Sequence, residues 1–212
     1  MIEAAGRSRL LSLRRDLASA RAGRELLDRK REAILRAVTE RLPRVTELGR
    51  TVSRGLAAAR AVLGEAQLDL GRTAVHAAAL AQPPIVSIEV HEMMVVGVAL
   101  PQIGMTAAPF RPRYGPMSGS PLLDQAGAAF TAILPSLLAL ASEEASVRRL
   151  RAALARTARR VNALDMLVLP ELSDQIHTVA AALEEEDRDE AVRRNQWLRA
   201  RLNSIDKHQC EA

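Results

Sequence analysis

Apolar residues recur every three or four positions through about the first sixty residues of the chain. About fifteen steps cover roughly 53 residues, a mean spacing near 3.5, which is the heptad period of a left-handed coiled coil. Most of these positions hold Leu, Ile, Val or Ala, and two hold Arg. The positions are 10, 13, 17, 20, 24, 27, 31, 34, 38, 42, 45, 48, 52, 56, 59 and 63. The pattern predicts one long helical arm whose apolar stripe needs a partner.

Three residues interrupt this first arm. Arg24 and Arg31 stand in the apolar stripe, where they can either lay their stems along it with the charges in solvent or pair with acids of the opposite arm. Pro43 lacks a backbone N–H, so it predicts a kink or a short break in the helix.

A second stripe runs through the last part of the chain with a mean spacing of about 3.67 residues. This hendecad value relaxes or reverses the left-handed twist. Its positions are Leu150, Leu154, Ala158, Val161, Leu164, Val168, Leu172, Ile176, Val179 and Leu183. The stripe passes through Pro170, which we expect to bend the helix and to leave the carbonyl of Met166 without its usual partner.

Between the arms, two β-branched runs predict a hairpin. The runs are Ile85–Val90 and Val95–Leu100, and the short link 91–94 between them is taken as the turn. Such a hairpin is too small to fold by itself. Residues 104–121 are rich in proline and glycine and predict a loop, with the second arm beginning near Leu122.

These elements predict a mainly α fold, a long antiparallel two-helix coiled coil of the N- and C-terminal arms with a small central β-hairpin and a Pro/Gly-rich loop. Arms of this length cannot bury their stripes inside one compact globule, so they should pack against each other. The chain has only four aromatic residues, which suits narrow seams of Ala and Leu. We place the domains at 1–82 for the N-terminal arm, 83–121 for hairpin and loop, and 122–212 for the C-terminal arm.

Charge is distributed unevenly between the arms. The formal net charge is +5, yet residues 1–80 carry 16 basic and 9 acidic groups, whereas residues 121–212 carry 12 basic and 14 acidic groups. The arms should therefore attract each other weakly. The basic residues alternate with acids and lack aromatic neighbours for base stacking, which argues against nucleic acid as a partner.

The sequence shows no motif for catalysis or for binding a cofactor or metal. It lacks the GxxxxGK[ST] loop that holds nucleotide phosphates, and Ser118-Gly119-Ser120 lacks the GxSxG context of a nucleophilic serine. The four histidines lie far apart, without the spacing of zinc ligands. The acidic run 184–187 is interpreted as a solvated helix face. We therefore expect a non-catalytic chain with no cofactor and no metal site.

Neither secretion nor membrane insertion is expected. The first residues lack the apolar region of a signal peptide. We also expect no run of about eighteen uncharged apolar residues, the length that a membrane-spanning helix needs. Cys210 is the only cysteine, so an internal disulfide is excluded and a reducing cytoplasm fits best.

One stretch of the second arm is more specific than the rest. It is Arg159-Arg160-Val161-Asn162-Ala163-Leu164-Asp165, and it places the polar Asn162 beside the apolar stripe. A polar residue near a seam can fix the register of a coiled coil. The other interpretation is contact with a surrounding ring of partner subunits.

This stretch and the segment 167–172 after it resemble the signature RRVNALE followed by V-I-P-x-L of the D subunit of V-type and archaeal-type rotary ATPases. The first arm is similar to the family pattern R-x-x-L-L-x-L-[KR]-R and its LL-x-x-KR continuation. The matching residues are Arg7, Leu10, Leu11, Leu13, Arg14, Arg15, Leu17, Ala20, Gly23, Leu26, Leu27, Lys30 and Arg31. The runs Val86–Val90 and Val96–Pro101 resemble the central segment of the family.

The chain departs from the family pattern at a few positions. Ala4-Ala5-Gly6 stands where the family usually has Asn-Pro-Thr, Asp165 replaces Glu, and Met166 replaces an aromatic residue. The tail after Leu202 lacks the frequent lysine-rich ending. None of these changes removes a catalytic group.

The resemblance implies a non-catalytic rotor that forms the central stalk together with the F subunit, in a complex peripheral to the membrane on its cytoplasmic side. Both chain ends would lie inside the ring of catalytic A and B subunits, and the opposite end would sit in the funnel-shaped subunit above the membrane ring. Torque would pass along the coiled coil between ATP chemistry and ion translocation. The candidate partner contacts are Arg14, Arg15, Arg21, Arg193, Arg194, Arg199 and Arg201, and the structural motif comprises Arg159, Arg160, Val161, Asn162, Ala163, Leu164 and Pro170.

The residues alone leave a second hypothesis open, a free-standing coiled-coil adaptor or nucleic-acid-binding scaffold. The two hypotheses differ in whether the chain brings down the subunits of an ATPase head when it is purified.

Overall fold

A computed structural model describes the chain except residues 1, 109, 116–118 and 211–212, and it leaves undescribed the side chains of 2–5, 107, 200 and 202–210. Ser118, one of the serines considered above, therefore lies outside the described residues. The elements are α1 Ile2–Leu70, α2 Arg72–Leu80, β1 Val86–Val95, β2 Val98–Ala107, α3 Pro121–Ala163, a π-helical turn Leu164–Val168 and α4 Leu169–Cys210. The mainly helical fold with one small antiparallel hairpin is confirmed.

The chain forms two compact units. The first unit comprises Met1–Arg29 and Thr157–Ala212, and the second comprises Lys30–Arg156. The start of α1 and the end of the second arm thus share the first unit. The remainder of α1, the hairpin and most of α3 share the second.

The first arm is one helix that continues through Pro43, so of the kink or short break predicted there, the break is wrong. A proline removes a single backbone hydrogen bond, and the packing of the stripe on either side is enough to keep the helix continuous. The helix ends only at Gly71, whose φ of 81° lies in the left-handed region that favours glycine.

One core cluster of the second unit is built from three elements, α1, β2 and α3. Ile34, Ala37 and Val38 of α1, Leu100 of β2, and Val147, Leu150 and Ala153 of α3 form one buried cluster. Each fully buried branched side chain contributes roughly 1.5–3 kcal/mol relative to an exposed one. Most predicted stripe positions of the first arm are buried or half-buried here, and Leu42 is an exception at 44% exposure.

The hairpin has longer strands and a different turn from those predicted. The pairing runs without interruption from Val86 opposite Ala107 to Val95 opposite Val98. The link 91–94, predicted as the turn, lies inside β1, and the turn is formed by Val96 and Gly97 with φ of 51° and 71°. Two positive φ values are what a type I′ turn requires, and they suit the right-handed twist of the strands.

The loop before α3 is shorter than predicted, because β2 continues to Ala107. The second arm begins at Pro121, one residue before the expected start. Ser120 caps it: the backbone N–H of Leu122 donates to Ser120 Oγ at 3.3 Å. Proline suits the first helical position, where its missing N–H would have no partner in the helix.

A strap formed by the described parts of residues 108–120 lies against the end of the second unit. The Gln82 side chain ties it down, since Nε2 donates to the carbonyl of Arg111 at 2.6 Å and Oε1 accepts from the N–H of Arg113 at 3.2 Å. The Tyr114 hydroxyl donates to Asp124 Oδ1. Gly127 leaves room for the ring of Phe110, because a methyl group there would overlap it.

The first unit buries the two ends of the arms against each other. Leu13 of α1, Val161 of α3 and Leu183 of α4 are its buried large apolar side chains among those described. Gly6 packs against Leu183, so the start of α1 reaches this level of α4.

By length and composition, one segment of the second arm is apolar enough to cross a membrane. Within the helical stretch Pro121–Arg199, an eighteen-residue window has a mean hydropathy of 1.4, and 6% of it is buried within the chain. The expectation that no such stretch exists is wrong, because residues 125–142 carry no charge. The core helix of a soluble protein passes the same test, so one helix of this kind is weak evidence for a span.

Candidate functional site

The most unusual local structure of the second arm is the π-helical turn immediately before Pro170. The N–H of Leu169 donates to the carbonyl of Leu164, five residues earlier. In a regular α-helix the ring of Pro170 would clash with the carbonyl of Met166, and a wider turn relieves this clash. The sequence predicted a disturbance at Pro170 but not its form.

The extra residue in this turn shifts the apolar stripe by one position. Val168, predicted to lie in the stripe, is 37% exposed, whereas Leu169 is half-buried. Leu164 and Leu169 are one π turn apart and therefore stay on the same face of the helix. The wide turn accounts for the long mean spacing of the second stripe.

A bidentate ion pair joins the two arms at the π turn. Arg24 Nε donates to Asp165 Oδ1 at 3.0 Å and Arg24 Nη2 donates to Asp165 Oδ2 at 3.2 Å. Asp28, one turn along α1, lies 3.6 Å from Arg24 Nη1. The pKa of Arg24 is raised above its ordinary value, first by the hydrogen bond to Asp165 and then by the charge of that carboxylate. For Arg24, the predicted pairing with an acid of the opposite arm is confirmed.

Asn162, which was considered for a register role beside the seam, does not lie in the seam. Asn162 is exposed, and so are Arg159, Arg160 and Ala163. Val161 is buried and Leu164 is half-buried, as their places in the stripe predict. Asp165 is the polar residue that lies in the seam and reaches the other arm.

The ion pairs between arms share one polarity. In the first unit, Arg7 Nη2 lies 3.0 Å from Asp187 Oδ1, in addition to the pair at Asp165. In the second unit, Arg41 and Arg44 both face Glu143, at 3.6 and 3.4 Å. The cation comes from α1 and the carboxylate from the second arm in each case, which agrees with the charge difference predicted between the arms.

Glu143 is the member of this set that sequence reasoning missed. It lies in α3 one turn from the buried Val147, and its side chain is mostly buried together with that of Arg41. An acid one helical turn from a stripe residue, opposite a paired Arg41 and Arg44, is the signal that could have identified it.

The candidate contact arginines all lie on exposed helix faces. Arg14, Arg15 and Arg21 are exposed on α1. The other four candidates lie on the part of α4 that extends past the start of α1. They are Arg193, Arg194, Arg199 and Arg201. The guanidinium carbon of Arg201 stands 4.9 Å from the ring centre of Trp197, within cation–π range.

Metal-ligand chemistry has no support in the described part of the chain. No group of three or more His, Cys, Asp or Glu side chains is close enough there to hold a metal ion. His91 lies 3.6 Å from Glu89 along an exposed strand. Within each unit, apolar seams and ion pairs hold the helices together.

Comparison with known proteins identifies the family of this chain. The family model described as the D subunit of ATP synthase matches residues 9–197. The chain belongs to the ATP synthase D-subunit family. The match includes most of both arms, the hairpin, the Arg24–Asp165 pair and the π turn, whereas Arg7, Arg199 and Arg201 lie outside it.

Individual D subunits match over a similar length. The A-type ATP synthase D subunit of Methanopyrus kandleri is 31% identical over 189 residues, which cover 88% of this chain and 82% of the relative. The V-type ATP synthase D subunit of Thermotoga neapolitana is 31% identical over 187 residues, covering 88% and 92%. The V-type ATP synthase D subunit of Enterococcus faecalis is 29% identical over 193 residues, covering 88% and 90%.

Proposed function

We propose that this chain is the central-stalk rotor subunit of a V/A-type ATPase or ATP synthase and is itself non-catalytic. It transmits torque between the catalytic head and the membrane ion-translocating rotor. The observation that carries the proposal is the match to the D-subunit family over residues 9–197, on a chain that is mostly long helices with one small hairpin. Paired helices resist twisting because seams and ion pairs fix their register.

The contact with the A and B subunits of the head is assigned to the end of the first unit. Here α4 continues for about 23 residues past Asp187, the residue that pairs with Arg7 near the start of α1, and this extension is roughly 35 Å long. Residues 184–199 are all exposed. The extension presents Arg193, Arg194, Arg199 and Arg201 to a surrounding ring, while Arg14, Arg15 and Arg21 present charge from α1.

The other partners are assigned to the second unit. Leu68 and Leu80, near the turn between α1 and α2, are both exposed, and the end of this unit holds an apolar cavity of about 280 Å³ beneath Phe110 and Tyr114. This apolar end suits docking into the funnel-shaped subunit above the membrane ring. The hairpin carries Ile88 and is exposed along most of β1, where the F subunit of the stalk or another partner can touch the shaft.

These assignments place the chain on the cytoplasmic side, peripheral to the membrane, with no span of its own. The apolar window of the second arm is then a surface that protein covers. Carbonate extraction of membranes carrying the whole complex tests this, because a peripheral subunit is released with the head and a spanning one stays in the pellet.

The test of the main proposal is co-purification of a tagged full-length chain from its own cells. We expect the A and B subunits to come down in defined stoichiometry, and their consistent absence would overturn the proposal. Replacing Arg193, Arg194, Arg199 and Arg201 together by Gln should weaken retention of the head. The matched control replaces Arg36, Arg50, Arg54 and Arg60, four arginines that are exposed on α1 in the second unit, and should leave retention unchanged. ATP hydrolysis by the isolated chain would contradict the non-catalytic role.

A further inference from the structure

The π turn exposes three consecutive apolar side chains. Met166 is 77% exposed, Leu167 is 67% exposed and Val168 is 37% exposed. Isolated apolar side chains are common on protein surfaces, but a contiguous group of large ones usually marks a surface that something covers. π turns inside helices also occur frequently at functional sites.

An open groove of about 570 Å³ lies beside this turn within the first unit. Leu13 and Val179 contribute apolar surface to it, together with Met166 and Leu167. Its charged lining residues are Glu171 and Asp174 from α4 and Arg9 from α1. The groove therefore combines an apolar wall with a net negative charge.

The π turn is held from its inner side. Asp165, which is next to Met166, accepts both hydrogen bonds from Arg24, and Pro170 fixes the backbone beyond the turn. The exposed apolar side chains are thus presented on a backbone that is anchored to the other arm. Such preorganisation reduces the ordering that a partner must impose on binding.

We propose that this groove binds a segment of another subunit of the rotary complex, one that carries a large apolar side chain flanked by Lys or Arg. The apolar side chain packs against Met166 and Leu167, and the flanking cations face Glu171 and Asp174. Charge complementarity selects this chemistry, since Arg9 is the single cation among the lining residues. The proposal rests on the proposed function, because the partner belongs to that complex.

Cross-linking in the assembled complex tests the proposal. A photoreactive benzoylphenylalanine is placed at Met166 of the full-length chain, and mass spectrometry identifies the cross-linked segment. The matched control is the same group at Leu26, which is 69% exposed on α1 of the same unit. We expect several-fold more cross-linking from 166 than from 26, to a segment with an apolar residue flanked by Lys or Arg.

Two outcomes of this experiment would overturn the groove proposal. One is cross-linking from Met166 that does not exceed that from Leu26 in a complex that has assembled. The other is cross-linking to a segment without basic residues. If no complex assembles around the unmodified chain, the proposed function itself fails, and this distinguishes the two failures.

A second measurement tests whether the negative charge of the groove contributes to partner binding. Replacing both Glu171 and Asp174 by Lys should speed dissociation of the cross-linked subunit at least several-fold, with a smaller effect at high salt because salt screens exposed charges. The control replaces Asp16 and Glu25 by Lys, which changes the net charge equally on exposed positions of α1. Equal effects of the two variants would contradict a charge-selective groove.

Discussion

Arg24 and Asp165, 141 residues apart in the sequence, form a two-point hydrogen bond at 3.0 and 3.2 Å that joins the two arms at the π turn. Arg24 occupies a stripe position of α1, where an apolar residue would ordinarily continue the seam. At this position a hydrogen-bonded ion pair replaces an apolar contact. Because its two hydrogen bonds are directional, the pair restricts sliding of the two helices more strictly than a leucine contact does.

Arg24→Leu should lower the unfolding temperature by a few degrees, because Asp165 loses its bidentate donor while remaining partly buried. The double variant Arg24→Leu with Asp165→Leu should recover most of this loss, since two apolar residues can complete the seam. Thermal unfolding of the four members of this cycle gives the coupling between the residues. Additive effects would show that the pair does not stabilise the fold as a unit.

Pro170→Ala should raise stability by less than Pro43→Ala does. Both prolines lie inside helical arms, but the π turn already accommodates the ring of Pro170, whereas Pro43 lies in regular α-helix. The gain at Pro43 approaches at most about 3 kcal/mol, the cost of an interior proline. Urea unfolding of both variants measures the difference, and a larger gain at Pro170 would contradict this account.

Pro170→Ala should also disturb the rotor while leaving its fold intact. Without the proline the wide turn can revert to regular helix, which moves Val168 toward the seam and displaces Met166. We expect lower coupling between ATP hydrolysis and rotation in the assembled complex. Unchanged coupling would confine Pro170 to a structural role.

The periodic parts of this fold could be predicted from the sequence, and the irregular parts could not. The stripe through Ile34 and Leu150 identifies the packed faces, because burial of regularly spaced apolar residues dominates long helices. The turn at Val96 was missed because β-branched residues rarely adopt positive φ, and here strand pairing on both sides imposes it. The π turn was missed because the mean spacing of the stripe does not show where along the helix an extra residue lies.

The candidate site, too, could be predicted from the sequence only in part. The pairing of Arg24 with an acid was one of two alternatives that the sequence left open, but its partner depended on the three-dimensional register of the arms. Asn162 looked like the polar residue of the seam, and only the observed helix phase shows that Asp165 takes that place. Glu143 lies one helical turn from the stripe residue Val147, but only the packing of α1 against α3 shows that it faces Arg41 and Arg44.

Gly127→Ala should destabilise the second unit by about 1–3 kcal/mol, the usual cost of overpacking. A methyl group at this position overlaps the ring of Phe110, so either the strap or α3 must move. The control is Gly64→Ala in α1, where a methyl group meets nothing within 4 Å. That change should stabilise the unit by roughly 0.5–1 kcal/mol through helix propensity. Equal effects in denaturant unfolding would show that Phe110 does not dock against Gly127.

Alkaline pH should release the strap through Tyr114. Burial raises the pKa of its hydroxyl above the ordinary value, and the hydrogen bond to Asp124 and the charge of that carboxylate raise it further. The folded state therefore keeps the proton at pH values where the unfolded chain loses it. This stabilisation is complete below the unfolded pKa of about 10 and is lost progressively as pH rises through the folded pKa.

The comparison of wild type with Tyr114→Phe isolates this contribution. Phenylalanine keeps the ring against Gly119 but cannot ionise or donate to Asp124. Between about pH 9 and 11, unfolding midpoints of the wild type should fall more steeply than those of the variant. Absorbance of tyrosinate near 295 nm, followed in the same samples, should rise in the native protein only above the range of a free tyrosine, because Tyr114 is the chain's single tyrosine. Ionisation near pH 10 in the folded chain would mean that the strap does not hold Tyr114 against Asp124.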